Sequence, residues 1–198
     1  MRKRLLILLT LILIAALGTL AAWQYWTHRY DKLINRIAAK HNLDPLLVKA
    51  IVYEESFFSP RARSSQNAIG LMQVTPVVAE DLIEATHSRT LAEAIAGVSG
   101  MPAPRATSFE EAMSDPATSL HVGCWYLHTL LNRYRDEPNA VEVALAAYNA
   151  GPTNVERWAA DSERAQLSRD EFLSRIQFPA TREYVRRIIE RYDEYQHR

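Results

Sequence analysis

The chain has 198 residues, enough for one domain of ordinary size plus a short extra segment, and its 23 Lys and Arg are balanced by 23 Asp and Glu. That zero formal charge, with no basic run beyond the N-terminus, argues against a nucleic-acid partner. The single cysteine, Cys124, excludes an internal disulfide, and no metal-ligand spacing surrounds it.

Arg2, Lys3 and Arg4 precede an apolar run from Leu5 to Ala22, broken only by Thr10, Gly18 and Thr19. At about 1.5 Å per residue the run reaches ~27 Å, close to the ~30 Å hydrocarbon core of a bilayer. Trp23, Tyr25 and Trp26 stand where an interfacial aromatic belt belongs. The reading is a basic cytoplasmic end (1–4) and a single transmembrane signal-anchor helix (5–26). The positive charges on its N-terminal side place the remainder across the cytoplasmic (inner) membrane, in the periplasm or extracytoplasmic space. A cleaved signal peptide competes, but Thr19-Leu20-Ala21 is a poor cleavage site and the run exceeds the usual ~7–15 residues. No cysteine follows it, so a lipoprotein anchor is excluded.

From Tyr30 the chain reads as successive helices. Leu33, Ile34, Ile37 and Ala38 recur at helical spacing. Asp44-Pro45 opens a helix carrying Glu54 and Glu55, with Ser59-Pro60 as its stop. Thr75-Pro76 opens one through about Thr86, and Asp115-Pro116 a long one through about Tyr134. Pro138-Asn139 precedes another, Val141 to Tyr148, which Gly151 ends. Ser168 with Glu171 forms a capping box. Thr181 caps a final helix with Tyr184, Val185, Ile188 and Ile189 inward. No alternating β-rich run occurs, so the fold class is all-α. The stretch from about His87 to Met113, with Gly97, Gly100, Pro102 and Pro104, reads as a loop-rich insertion with room for one short helix, expected to shape a cleft.

One residue carries the chemistry. Glu55 ends an apolar helical run, where desolvation, the negative end of the helix dipole and neighbouring Glu54 all favour a protonated carboxyl. Such an acid can donate a proton to a glycosidic oxygen. Alone it is indistinguishable from any solvated Glu at a helix end.

The company it keeps is more specific. Glu55-Ser56, Gly70-Leu71-Met72-Gln73, Ala147-Tyr148-Asn149-Ala150-Gly151-Pro152 and Thr181-Arg182-Glu183-Tyr184-Val185 occur in that order. Asp115-Pro116 and Gly123-x-x-Tyr126-Leu127 lie between them. Over about residues 30–195 the sequence resembles the soluble-lytic-transglycosylase (SLT) type of catalytic domain, helical lysozyme-like enzymes (goose-type/SLT) that act on peptidoglycan. The resemblance makes 30–198 the catalytic domain and Glu55 its single catalytic acid. It makes Ser56 and Ser64 polar positions beside the acid, Gln73 a cleft amide that contacts sugar and Met72 an apolar cleft wall. Tyr148 becomes the tyrosine whose hydroxyl lies near the carboxyl, and Asn149 a polar position in the same turn. From the residues alone, Met72 is equally ordinary core, Ser56 a helix cap and Tyr148 a packed aromatic. Two departures stand out: Asn67-Ala68 replaces the usual Gly-Ala, and Ala180 replaces the acidic residue often found before Thr-Arg.

What the resemblance implies is a lyase-type cut of the β-1,4 bond between N-acetylmuramic acid and N-acetylglucosamine, giving 1,6-anhydro ends. Glu55 acts first as acid and then as base. Peptidoglycan glycan strands are the partner, with the membrane as anchor, and no metal or organic cofactor is implied. Cell-envelope machinery as a further partner is not readable. The rivals are a goose-lysozyme-like hydrolase and an inactive helical cell-wall-binding domain.

Overall fold

Side-chain caps and first-turn prolines set most of the helix boundaries. The computed structural model of the chain describes residues 2–160, 164 and 166–197. Helix α1 runs Arg2–His28 and α2 Asp31–Lys40. Asp44 accepts from the Leu46 N–H to open α3, Pro45–Ser56, and Thr75 from the Val78 N–H to open α4, Pro76–Ala85. Thr90 opens α5 (Leu91–Ser99), Ser108 opens α6 (Phe109–Ser114) and Asp115 opens α7 (Pro116–Arg133). Each cap satisfies a first-turn N–H that the helix itself leaves unpaired. Next come α8 (Ala140–Ala150), α9 (Pro152–Trp158), α10 (Arg169–Arg175, with its Ser168–Glu171 capping box) and α11 (Pro179–Gln196). Among the described residues the only extended pairings are two isolated bridges, Arg63–Ile69 and Ile69–Val74, in the loop between α3 and α4.

Helix α3 is the keel. Its Leu47, Val48, Ala50, Ile51 and Val52 are buried, and it packs on α2 and α11. α8 lies against α7, α9 and α11, where Ala144, Ala146 and Ala147 allow close approach. A fully buried Leu or Ile in such a core contributes about 1.5–3 kcal/mol. The α11 residues Tyr184, Val185, Ile188 and Ile189 point into this core.

Three boundaries differ from expectation. α3 stops before Ser59-Pro60, because Phe57 and Phe58 turn left-handed at φ 48° and 59°. Thr181 lies inside α11, which Phe178 and Pro179 begin; its hydroxyl instead donates to Asn149 Oδ1 at 2.7 Å. The 87–113 stretch holds α5 and most of α6, two helices where one short helix was expected, and α5 packs on α7 and α4.

Beneath α2 and α7 a buried His41 Nε2 meets His121 Nδ1 at 3.0 Å. Desolvation, then nearby positive charge, lowers both imidazoles to about 4; His121, His128 and Lys40 act on His41, and Lys40 and Arg36 on His121. The unfolded chain, with imidazoles near the ordinary 6.5, therefore binds more protons than the folded one between pH 6.5 and 4. The contribution of this pair to stability is expected to fall by a few kcal/mol (about 2–4) across that window as pH drops, against the opposite trend set by Glu55. Denaturant unfolding from pH 7.5 to 4.0 checks this: His121→Gln should blunt the decline, and an identical decline in that variant would count against the pair.

Candidate active site

The last turn of α3 brings Glu55 under α11. Tyr184 donates its hydroxyl to Glu55 Oε1 at 2.6 Å, across 129 residues of sequence. The residue keeps some exposure while its carboxyl is densely surrounded, and that burial raises its pKa from 4.5 to about 7. The Tyr184 hydrogen bond, which favours the anion, opposes the rise, and Glu54 adds to it by like-charge repulsion. Tyr184 itself is pushed well above the ordinary phenol value by burial and by Glu55, so it remains a donor.

Glu54 points elsewhere, since successive helical residues diverge by about 100°. Its Oε1 accepts from Arg191 Nη2 at 2.9 Å and Nε at 3.1 Å, with Arg187 Nε at 3.8 Å from Oε2. The Arg191 guanidinium also lies 3.4 Å over the Tyr53 ring. Held this way, Glu54 is an ion-paired neighbour rather than a second reacting carboxylate.

The Gly70–Gln73 turn forms the floor. Ser56 Oγ donates to the Leu71 carbonyl at 2.9 Å and to Val52 at 3.0 Å, stitching the end of α3 to that turn. Ser64 Oγ accepts from the Gln66 and Ala68 N–H groups, bracing a loop in which Asn67 adopts φ 59°. Gln73, at φ 47°, donates its amide to the Ala62 and Gly70 carbonyls at 3.0 and 3.1 Å. Met72 lies beneath the cleft rather than on its wall: it is fully buried, with Cys124 Sγ 3.9 Å from its sulfur and Gly123 against its side chain. Its carbonyl accepts from the Tyr148 hydroxyl at 2.8 Å. Tyr148 lies near enough to feel the Glu55 charge, but the hydroxyl bonded to the carboxyl is that of Tyr184. Asn149, through Thr181, ties the end of α8 to α11.

Beside this turn opens a cavity of about 410 Å³, lined by Gln73, Val77, Asp81, Tyr126, Tyr148 and Asn149 among others. Asp81 is exposed at its edge, and the carboxylate that acts on Glu55 is Glu54. Among the described residues no group of three or more His, Cys, Asp or Glu converges as a metal site.

The four motifs and the helical fold that carries them can be compared with those of known proteins. Residues 32–170 match the transglycosylase SLT domain. The chain belongs to the transglycosylase SLT family. Among SLT relatives, the soluble lytic murein transglycosylase of Escherichia coli K12 is 28% identical over 181 residues, 88% of this chain and 25% of that protein. The membrane-bound lytic murein transglycosylase C of Haemophilus influenzae PittGG is 35% identical over 134 residues, 65% of this chain and 33% of that protein. The lytic transglycosylase Slt of Pseudomonas aeruginosa, solved as an inactive Glu-to-Gln mutant, superposes with TM-score 0.68 at 26% identity, covering 87% of this chain and 24% of its own. The SLT chain described here thus spans a quarter to a third of these relatives' lengths.

The SLT motifs named Glu55 but not its partner. By its helical spacing Tyr184 is a core residue of the last helix, although it stands inside the Thr181–Val185 motif; Glu54–Arg191 and Thr181–Asn149 have no local signal at all.

Proposed function

We propose that the protein is a lytic transglycosylase that cuts the β-1,4 bond between N-acetylmuramic acid and N-acetylglucosamine in peptidoglycan. The observation that carries this is Glu55: one carboxyl, raised to about 7, held by Tyr184, with the neighbouring Glu54 carboxylate committed to Arg191. A hydrolase working by paired carboxylates needs the second group about 5–5.5 Å away for retention or about 6.5–9.5 Å for inversion. With one acid, the nucleophiles come from the substrate. Glu55 gives its proton to the departing glycosidic oxygen, and the muramic acetamido oxygen closes on C1. Glu55, now a carboxylate, takes the proton of the C6 hydroxyl as that oxygen attacks C1 and the acetamido group leaves. The proton count balances and no water is used. Gln73, Tyr148 and Asn149 face sugar from the cavity, while Ser56, Ser64 and Met72 hold the floor in place.

The same proposal makes α1 a single-pass anchor in the cytoplasmic membrane, with Arg2, Lys3 and Arg4 inside and the catalytic domain outside. Its support is an apolar helix, long enough to cross a bilayer, whose Leu6, Ile7, Leu9 and the large apolar residues from Leu11 to Leu20 are exposed, and a relative named as membrane-bound. Digesting purified peptidoglycan with the full chain in detergent should release muropeptides with anhydro ends, each one water lighter than a hydrolysis product. Reducing ends in their place would make the enzyme a lysozyme.

A further inference from the structure

The domain end of α1 does not merely lead into the catalytic domain; it grips the turn next to Glu55. Phe57 and Phe58 follow the Glu55-Ser56 pair, and both take left-handed backbone angles. Two carbonyls leaving a helix end this way have no partner within the helix. Here Trp26 Nε1 donates to the Phe57 carbonyl at 2.8 Å, and Arg29 donates to the Phe58 carbonyl. The Arg29 guanidinium lies 3.5 Å over the Trp26 ring. The ring of Trp23 packs 5.4 Å from that of Phe57, while Phe58 is fully buried. α1 runs unbroken to His28, so Trp26 sits on the same helix as the apolar run and Arg29 in the turn that follows it.

We infer that Trp26 and Arg29 are positioning residues for Glu55: by holding the Phe57 and Phe58 carbonyls they fix the turn that carries the acid. The clamp makes the membrane helix a working part of the active site, and a fragment starting at Tyr30 lacks both donors. The inference rests on the proposed acid role of Glu55 for its activity readout only.

The test uses the full chain in detergent, with Trp26→Phe, which keeps the ring and loses the donor, Arg29→Met, and Arg29→Lys, which keeps a donor. Groups facing the carboxyl are Glu54 on its own helix, Tyr184 on α11 and Tyr148 on α8. A loosened turn admits water to the carboxyl, so its pKa drops toward the ordinary value. The expected result is a kcat about tenfold lower with KM nearly unchanged. The alkaline limb of the pH–rate profile should shift down by about half a unit. Arg29→Lys should recover most of both effects. Carbon-13 titration of Glu55, assigned by difference against Glu55→Gln, should show the same downward shift. That signal decides the matter even if peptidoglycan is not cut, which separates failure of the clamp from failure of the proposed function. Profiles and titrations matching the unaltered chain, or a lower kcat without either shift in Trp26→Phe and Arg29→Met, would overturn it.

Discussion

Glu55→Gln is expected to lower anhydro-product formation by about a thousandfold or more while leaving the fold intact and, above neutrality, firmer. General acid–base assistance by one group is worth about 10²–10⁴ in rate, and in the proposed mechanism the same carboxyl serves both steps. Glutamine keeps the shape, and its side-chain oxygen still accepts from Tyr184. The stability side follows from linkage. The folded pKa of Glu55 lies near 7, above its ordinary 4.5, so the folded chain binds the extra proton between those values. Folding therefore loses stability as pH rises from 4.5 through 7, and the ionised carboxylate costs on the order of 1–3 kcal/mol by pH 8. The glutamine variant has no such cost. Denaturant unfolding of both proteins at pH 5 and pH 8 checks the claim: near equality at pH 5 and a more stable variant at pH 8. Equal stability at pH 8 would mean that the carboxyl is better solvated than its surroundings imply.

What the sequence discloses and what it hides divide along a physical line. Asp44-Pro45, Thr75-Pro76, Asp115-Pro116 and Ser168–Glu171 are legible because a cap is local: a side-chain oxygen, an N–H two or three residues on, and a fixed proline φ. The end of α3 is illegible because nothing local ends it. Phe57 and Phe58 are poor candidates for left-handed angles, and side chains from α1 and the turn after it satisfy the carbonyls they expose. Thr181 misled for the opposite reason, having the chemistry of a cap while its hydroxyl is spent on Asn149. Trp26 likewise fits an interfacial belt by composition, yet its indole N–H is committed to the domain. The site splits the same way. The motif order names Glu55, but its partner depends on α11 crossing α3, which only the packing reveals.

The largest loss of stability from a single methyl group is expected at Gly70. Its backbone sits at φ 88°, where an L side chain is strained. A Cβ there would also lie 2.1 Å from the Met113 carbonyl oxygen and 2.6 Å from Ser119 Oγ. The first of these is backbone at the end of α6 and cannot swing away; the second accepts from the Met72 N–H at 3.2 Å and holds the floor of the site. Strain and overpacking together put the cost of Gly70→Ala at about 2–4 kcal/mol. For a domain of this size that is a melting temperature lower by roughly 5–15 °C. Gly97 provides the contrast: it is exposed within α5 and its Cβ would meet nothing within 4 Å. Gly97→Ala should gain about 0.5–1 kcal/mol from helix propensity. Thermal unfolding of the two variants beside the parent reads both signs at once. Because Gly70 also starts the turn that carries Met72 and Gln73, any folded Gly70→Ala should cut peptidoglycan more slowly even well below its melting point. An unchanged rate in that variant would show that the floor of the cleft can move without moving the acid.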